Sequence, residues 1–263
     1  MKKIESVQNI KIKQIQRLKK NHERKKTGLF IIEGKEELRK ALLSKINLEY
    51  IFLSLDILKE IPDFLKEKQD QIFLVSEEIF KKISYRENSE GVLAVAKRQE
   101  LKLKDIELKE NALILILESL EKPGNLGAIL RTADAGGIDA LIICDSHTDI
   151  YNPNVIRASI GAVFNLPLVL SKKEEVFLWL KKNKIKSFAT SPRAKINYTQ
   201  ENFKDSLALI IGTEHEGLSE YCLQKADKQI KIPMFGKSDS LNASVSTAII
   251  VYEIIRQRDK NIV

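Results

Sequence analysis

Residues 113–133 read Leu113-Ile-Leu-Ile-Leu-Glu-Ser-Leu-Glu-Lys-Pro-Gly-Asn-Leu-Gly-Ala-Ile-Leu-Arg-Thr-Ala133. A short apolar run, a loop containing Pro-Gly-Asn and a helix-like pattern follow one another, which predicts a strand, a loop and a helix. Residues 207–219 and 230–246 have the same layout. Strands that alternate with helices in this way predict an α/β fold with a mostly parallel sheet, covered by helices on both faces.

The three loops of this layout predict one common ligand site. In an open α/β sheet, loops at the carboxyl ends of the strands line the ligand crevice. Their glycines let a ligand approach the backbone, and the following helices offer free N–H groups. Familiar nucleotide motifs are absent, since Lys231 stands where a P-loop ending at Gly236-Lys-Ser238 needs glycine and no G-x-G-x-x-G is complete.

The composition is that of a globular protein with a basic bias. The chain has 263 residues, 43% hydrophobic and 30% charged, with a formal net charge of +8, which excludes wholesale disorder. The longest apolar run, residues 112–117, is too short to span a membrane, and no secretory signal pattern follows Met1. The histidines and cysteines lack ligand spacing, so no metal site is predicted. We expect a soluble, cytoplasmic protein without a membrane partner.

Basic residues are concentrated at the N-terminus. Residues 1–26 contain ten of them against two acidic residues, a surplus equal to the formal charge of the whole chain. Such a segment is typical of proteins that bind the phosphate backbone of nucleic acid. A solvated helix is the alternative, because Ile12, Ile15 and Leu18 recur at helical spacing with lysines outside them. The candidate RNA contacts of this region are Lys11, Lys19, Lys20, Arg24 and Lys25.

The chain divides into two predicted domains. Residues 97–110 are charged and contain only scattered apolar residues, which suits a linker, so we expect domains at 1–105 and 106–263. In the first domain we predict strands at 50–53, 72–75 and 91–96, and helices at 57–65 and 79–83. In the second we predict strands at 113–117, 140–144, 187–189 and 207–211, and a helix at 242–256.

Taken in order, the three loops resemble the three motifs of the SpoU (TrmH-like) RNA ribose 2′-O-methyltransferases of the SPOUT class. The matching stretches are Asn125-Leu-Gly-Ala-Ile-Leu-Arg-Thr-Ala133, Gly212-Thr-Glu-His-Glu-Gly-Leu-Ser219, and Ile232-Pro-Met with Ser240-Leu-Asn-Ala-Ser244. The resemblance covers about residues 111–258. Residues 6–11, 24–28 and 30–34 are similar to the substrate-binding domain, related to a small ribosomal-protein fold, that many of these enzymes carry.

This resemblance implies S-adenosylmethionine as the methyl donor, a C-terminal trefoil knot that holds it, and an obligate homodimer. It also implies structured RNA as the substrate, with 23S ribosomal RNA favoured over transfer RNA. The residues implied to bind the cofactor are Gly212, Thr213, Glu214, Gly217, Ile232, Met234, Ser240, Leu241, Asn242 and Ala243. Those implied in catalysis are Arg131, Asn125, Glu214 and Asn242, and Arg157 is a further candidate RNA contact.

The chemistry gives the catalytic residue types a physical reason. Methylation of a ribose 2′-hydroxyl needs proton removal, alignment with the methyl group and stabilisation of the developing alkoxide. A guanidinium stays protonated, so Arg131 suits gripping the adjacent phosphate and polarising the hydroxyl better than acting as a base. Taken singly, Arg131 also fits a surface salt bridge, and Asn125 and Asn242 fit helix caps.

Two other functions remain open at the level of sequence. One is a non-catalytic RNA-binding or ribosome-assembly protein on the same fold, and the other is an antibiotic-resistance rRNA methylase of the same family. The presence of Arg131, Asn125, Glu214 and Asn242 favours an enzyme over the non-catalytic alternative. The resistance methylase differs only in its target nucleotide, which the sequence does not specify.

Overall fold

A computed structural model of the chain describes residues 1–145, 148–213 and 215–259. The strands are β1 (Lys2–Ile4), β2 (Leu29–Glu33), β3 (Leu48–Leu53), β4 (Ile72–Val75), β5 (Val92–Lys97), β6 (Leu113–Glu118), β7 (Ala140–Cys144), β8 (Leu168–Ser171), β9 (Lys186–Thr190), β10 (Ile196–Asn197), β11 (Leu207–Ile211) and β12 (Lys228–Lys231). The α-helices are α1 (Ile10–Leu18), α2 (Asn21–Thr27), α3 (Lys35–Leu43), α4 (Leu55–Leu58), α5 (Glu77–Ile83), α6 (Pro123–Ala135), α7 (Pro153–Ala158), α8 (Lys173–Lys182), α9 (Glu220–Lys225) and α10 (Ala243–Arg258).

The chain forms two compact units. The N-terminal unit comprises Met1–Gln99 and Asp149–Asn165, and the C-terminal unit comprises the remainder. This division differs from the predicted boundary near residue 105, above all because residues 149–165 belong to the N-terminal unit. Within that unit the Tyr151 hydroxyl donates to the Gln99 carbonyl oxygen at 2.9 Å, and Asp149 forms an ion pair with Arg24.

The C-terminal unit contains a parallel sheet with strand order β10-β12-β9-β11-β6-β7-β8 among the described residues. Strands β6, β7 and β11 consist of buried residues throughout, as expected for strands covered on both faces. Val176 and Leu180 of α8 and Cys222 of α9 pack into the core beside the sheet, and α6 packs against α10. The predicted α/β fold with a mostly parallel sheet is confirmed.

The N-terminal unit contains a mixed sheet with strand order β1-β4-β3-β5-β2 in the described part of the chain. Strand β5 is antiparallel to both of its neighbours. Helix α1 buries Ile12, Ile15 and Leu18 completely against this sheet and α5. The apolar stripe predicted at these positions is therefore a core-facing stripe, and the cations between them, Lys13 and Arg17, are exposed.

The predicted helix at 57–65 is wrong. Helix α4 ends at Leu58, because Lys59 has a φ of +71° and Pro62 lacks the N–H group that a helix needs. Strands β1, β8 and β10 were not predicted from the sequence. All three lie at the edges of their sheets, where short and partly exposed strands need no long apolar run.

Candidate active site

A cleft of about 770 Å³ lies in the C-terminal unit, at the carboxyl ends of β9, β11 and β12. Its volume is in the range of small-molecule and cofactor sites. Eight predicted cofactor residues line it: Gly212, Thr213, Gly217, Ile232, Met234, Ser240, Leu241 and Ala243. Asn242 lies between two of them without lining the cleft, and Glu214 lies outside the described residues.

The loop of residues 212–218 is folded tightly on itself. The Thr213 N–H donates to the Gly217 carbonyl oxygen at 3.1 Å, and the Glu216 N–H donates to Thr213 Oγ1 at 3.1 Å. A Cβ atom at Gly212 would lie 2.2 Å from the Gly217 carbonyl carbon, and Gly217 has a φ of +71°. Both positions therefore require glycine, and the loop brings backbone groups to the wall of the cleft.

The loop of residues 232–242 forms an apolar wall and ends at a helix cap. Ile232, Met234 and Leu241 are half-buried and line the cleft. Asn242 Oδ1 accepts hydrogen bonds from the Ser244 N–H at 2.9 Å and from Ser244 Oγ at 2.6 Å. Asn242 thus caps α10, which is the structural role that the sequence offered as an alternative to catalysis. This cap fixes the end of the loop.

The structure brings Asn125 and Asn242 together beside the cleft. Asn242 Nδ2 donates to Asn125 Oδ1 at 3.2 Å, across 117 residues of sequence. Asn125 lies in the first turn of α6, whose N-cap residue is Lys122, so Asn125 does not cap the helix. Its Nδ2 is buried and has no hydrogen-bond partner among the described residues. A buried unpaired donor is costly, so this atom has an unused capacity to donate a hydrogen bond.

Arg131 lies six residues beyond Asn125 on α6, a rise of about 9 Å along the helix. Its side chain is exposed and is not among the residues that line the cleft. No described residue forms an ion pair with it. The surface salt bridge considered for Arg131 is therefore not formed within the described chain, and the guanidinium is accessible to a substrate.

A third wall of the cleft was not predicted from the sequence, while no residue of the predicted first loop, 119–125, lines the cleft. Thr190, Ser191, Pro192 and Arg193 line it where β9 ends. The signal was present, because the rule that carboxyl-end loops line the crevice applies to this strand as well. The segment was missed because the family motifs do not include it. Arg193 is exposed and places a cation at the rim.

The candidate RNA contacts differ in accessibility. Lys11 is half-buried, with its Nζ 4.1 Å from the centroid of a tyrosine ring. Lys19 Nζ donates to the Ser84 carbonyl oxygen at 2.6 Å, and burial lowers the pKa of this lysine. The remaining accessible candidates are Lys20, Lys25 and Arg157.

The prediction that Arg24 contacts RNA is wrong. The residue is 2% exposed, and its Nε lies 2.6 Å from Asp149 Oδ2. Its Nη1 donates to the carbonyl oxygens of Leu18 at 2.9 Å and Lys19 at 3.0 Å. The guanidinium is thus buried and already bonded, and it holds the end of α1 instead of a phosphate.

The part of the chain that the structure describes contains neither an exposed thiol nor a metal-ligating cluster. Cys144 and Cys222 are buried, and burial raises the pKa of both thiols to about 12, so they stay protonated. No group of three or more His, Cys, Asp or Glu side chains in that part is placed to hold a metal ion. None of its helices is both long and apolar enough to span a membrane.

The fold and the cleft together define a class of protein. A parallel α/β unit with a cleft at the carboxyl ends of its strands, lined by glycine backbone and apolar side chains, is typical of enzymes that bind a nucleotide-like cofactor. The SpoU rRNA Methylase family model matches residues 112–252, and the MRM3-like substrate binding domain model matches residues 9–94. The chain therefore belongs to the SpoU rRNA methylase family.

Individual relatives extend this match over almost the whole chain. The sequence is 32% identical over 254 residues to the Bacillus subtilis (strain 168) 23S rRNA (guanosine(2553)-2′-O)-methyltransferase RlmP, covering 97% of this chain and 99% of that protein. The crystal structure of an RNA 2′-O ribose methyltransferase matches with a TM-score of 0.82 and 38% identity, covering 97% of this chain and 98% of the other. An AdoMet-bound rRNA methyltransferase from Sinorhizobium meliloti matches with a TM-score of 0.88 and 26% identity, covering 97% of each chain. The predicted family is confirmed.

Proposed function

We propose that this protein transfers the methyl group of S-adenosylmethionine to the 2′-hydroxyl of a ribose in 23S ribosomal RNA. The observation that carries the proposal is the hydrogen bond between Asn242 and Asn125, which joins the first and third family motifs beside the cleft. The RNA target is supported by the Bacillus subtilis relative, whose name specifies 23S rRNA. The cofactor is supported by the related structure that contains AdoMet.

The residues of the cleft fit this cofactor. Ile232, Met234 and Leu241 offer an apolar surface for the adenine ring, and the 212–218 loop offers backbone groups for the polar atoms. The close approach between Gly212 and Gly217 leaves no room for a side chain at Gly212, so this tight loop requires glycine there. When bound, S-adenosylmethionine supplies an electrophilic methyl group on a sulfonium sulfur.

The side chains beside the cleft prepare the RNA for methyl transfer. The guanidinium of Arg131 binds the phosphate next to the target ribose and stabilises the negative charge that develops on the 2′-oxygen. Asn125 Nδ2, buried and unpaired in the described structure, donates to an acceptor on the substrate. Asn242 holds Asn125 in place through the 3.2 Å hydrogen bond. Glu214, in the second motif, is also proposed to take part in catalysis and cofactor binding.

RNA is recruited by accessible cations, with an aromatic residue near the cleft. Lys20, Lys25 and Arg157 are exposed in the N-terminal unit, which contains the match to a substrate-binding domain. In the C-terminal unit, Phe235 is 95% exposed in the loop that follows Met234. Unstacked RNA bases bind aromatic faces, so Phe235 is placed to stack on a base near the target ribose.

The protein acts in the cytoplasm as an obligate homodimer with a knotted C-terminal unit. Val245 and Tyr252 are 46% and 52% exposed on α10, and Ile249 lies between them at helical spacing. This apolar stripe supports a second copy of the chain as the partner. Strand β12 lies between β9 and β10 in the sheet, although both of these strands come earlier in the chain. The last strand is therefore flanked on both sides by earlier segments. This strand order supports the trefoil knot.

Calorimetry with S-adenosylmethionine and methyl transfer to 23S rRNA test the proposal on the purified full chain. Arg131→Ala should reduce methyl transfer by about 10² or more, as for loss of one stabilising donor, while its cofactor Kd stays within about twofold of wild type. Arg39→Ala is the control, because Arg39 is exposed and paired with Glu36 on α3. Salt-sensitive RNA binding without cofactor binding would support the non-catalytic alternative instead. A mark at another 23S nucleotide that confers antibiotic resistance would support the resistance methylase.

A further inference from the structure

Glu118 at the end of β6 forms a buried clamp on Ser219. The glutamate is 3% exposed, and its Oε2 accepts a hydrogen bond from the Ser219 N–H at 2.8 Å. Its Oε1 accepts from Ser219 Oγ at 2.6 Å and from Lys173 Nζ at 3.3 Å. Burial raises the pKa of Glu118, but hydrogen bonds from Ser219, Cys222 and Lys173 outweigh that effect and leave the pKa below its usual value. The clamp is therefore ionised at neutral pH.

The clamp holds the C-terminal end, or exit, of the 212–218 loop, which we call the cofactor loop. Ser219 stands between Leu218 and Glu220, which both line the cleft. Its hydroxyl also accepts from the Cys222 N–H at 3.3 Å and caps α9. The entrance of the loop is fixed by β11, which is hydrogen-bonded to strands on both sides. The exit has no such strand and is held by Leu218, which packs in the apolar core, and by the bonds from Ser219 to Glu118.

The same glutamate begins the connection to the catalytic helix. Residues 119–122 lead directly from Glu118 into α6, which carries Asn125 and Arg131. Thr148 Oγ1 lies 3.0 Å from the Leu120 carbonyl oxygen and 2.6 Å from that of Glu121, which holds this connection in place. Glu118 thus bonds the end of the second motif through Ser219. It also stands where the connection to the first motif, on α6, begins.

We propose that Glu118 is a positioning residue that sets the cofactor loop relative to the helix of Asn125 and Arg131. This inference rests on the proposed function, because it takes the cleft as the S-adenosylmethionine site. Glu118 does not line the cleft and acts through Ser219. Without the clamp, the 212–218 loop keeps its own internal hydrogen bonds but loses its fixed exit, so cofactor binding weakens more than the overall fold.

Asp139, the residue before β7, provides the matched control because it binds the opposite end of β6. Its Oδ2 accepts from the Leu113 N–H at 2.8 Å, and its Oδ1 pairs with Lys109 Nζ at 2.8 Å. Its side chain is 10% exposed. Both carboxylates therefore bond a backbone N–H and a lysine, but Asp139 bonds Leu113 at the start of β6, which is about 16 Å along this six-residue strand from Glu118 at its end. A role in stability alone predicts similar effects from the two residues.

The test compares Glu118→Gln with Asp139→Asn in the full chain. The Kd for S-adenosylmethionine is measured by calorimetry, and hydrogen exchange of residues 212–219 is measured without cofactor. We expect Glu118→Gln to raise the Kd about tenfold, equivalent to about 1.4 kcal/mol, and to speed exchange in this loop. Asp139→Asn should leave the Kd within about twofold of wild type, while its melting temperature falls.

The possible results separate the positioning role of Glu118 from the assignment of the cleft as the cofactor site. Equal cofactor affinity and equal loop exchange in the two variants would overturn the positioning role. If Glu118→Gln does not fold, Ser219→Ala replaces it, since the Ser219 N–H bond remains and only the hydroxyl is lost. Ser219→Ala should then raise the Kd by a smaller factor and speed exchange in the loop, and wild-type values of both would overturn the inference. Absence of binding by the wild-type protein would instead refute the cleft as the cofactor site and so the proposed function.

Discussion

Arg24 and Lys25 are neighbours in sequence with the same charge, but the structure predicts different effects when each is changed to Gln. Arg24→Gln should lower stability, and Lys25→Gln should weaken RNA binding. Arg24 is buried on Asp149, whose own side chain is 1% exposed, whereas Lys25 is exposed. Removing one partner of a buried ion pair costs about 3–5 kcal/mol. Arg98 Nη1, 3.4 Å from Asp149 Oδ1, stays to compensate part of the charge. We therefore expect a loss near the lower limit, about 3 kcal/mol, for Arg24→Gln.

Urea unfolding measured by hydrogen exchange in β2 and β5 reports the stability of the N-terminal unit. The single tryptophan, Trp179, belongs to the other unit and would not report it. Lys25→Gln should change the free energy of unfolding by less than about 0.5 kcal/mol. It should also lower the slope of log K for RNA against log salt by about 0.7 to 0.9 per lost phosphate contact. A stable Arg24→Gln variant with the reduced salt slope would refute the burial of Arg24.

Three further predictions follow from the C-terminal unit. Gly212→Ala should weaken cofactor binding at least about tenfold, because its Cβ would collide with loop backbone; Gly124→Ala, with nothing within 4 Å, is the control, and equal Kd values by calorimetry would contradict the geometry. Cys144 and Cys222 should resist a thiol reagent at pH 8 until the protein is denatured, because both are buried with pKa values near 12; rapid labelling of the native protein would show that one is accessible. Glu118 has a lowered pKa in the folded state, so its stabilising effect is complete above the unfolded pKa near 4.5 and declines as the pH falls through the folded pKa; unfolding curves should show the gap between wild type and Glu118→Gln narrowing below pH 4.5, and a constant gap would contradict this.

Features within one segment were predictable from the sequence. The strands at 72–75, 140–144 and 207–211 have the predicted bounds, because each is an apolar run bounded by polar or turn residues. The position of the cleft followed from the rule that loops at the carboxyl ends of parallel strands line the ligand site. The need for glycine at Gly212 and Gly217 is also local, because it arises within one short loop.

Contacts between distant segments were not predictable in this way. Arg24 read as one of many N-terminal cations, because its partner Asp149 lies 125 residues away. The clamp of Glu118 on Ser219 spans 101 residues and carries no sequence pattern of its own. Buried charges are retained only where partners meet in the folded chain, so their roles become visible only with the tertiary structure. The family resemblance implied that Asn125 and Asn242 serve one site, but their hydrogen bond was not predicted.

The most direct test of the central proposal is nucleoside mass spectrometry of 23S rRNA from cells with and without the gene. The proposal predicts that one 2′-O-methyl mark disappears without the gene. The mark should return with the wild-type gene and not with the Arg131→Ala variant. Unchanged 2′-O-methylation of 23S rRNA in cells that lack the gene would contradict the proposal.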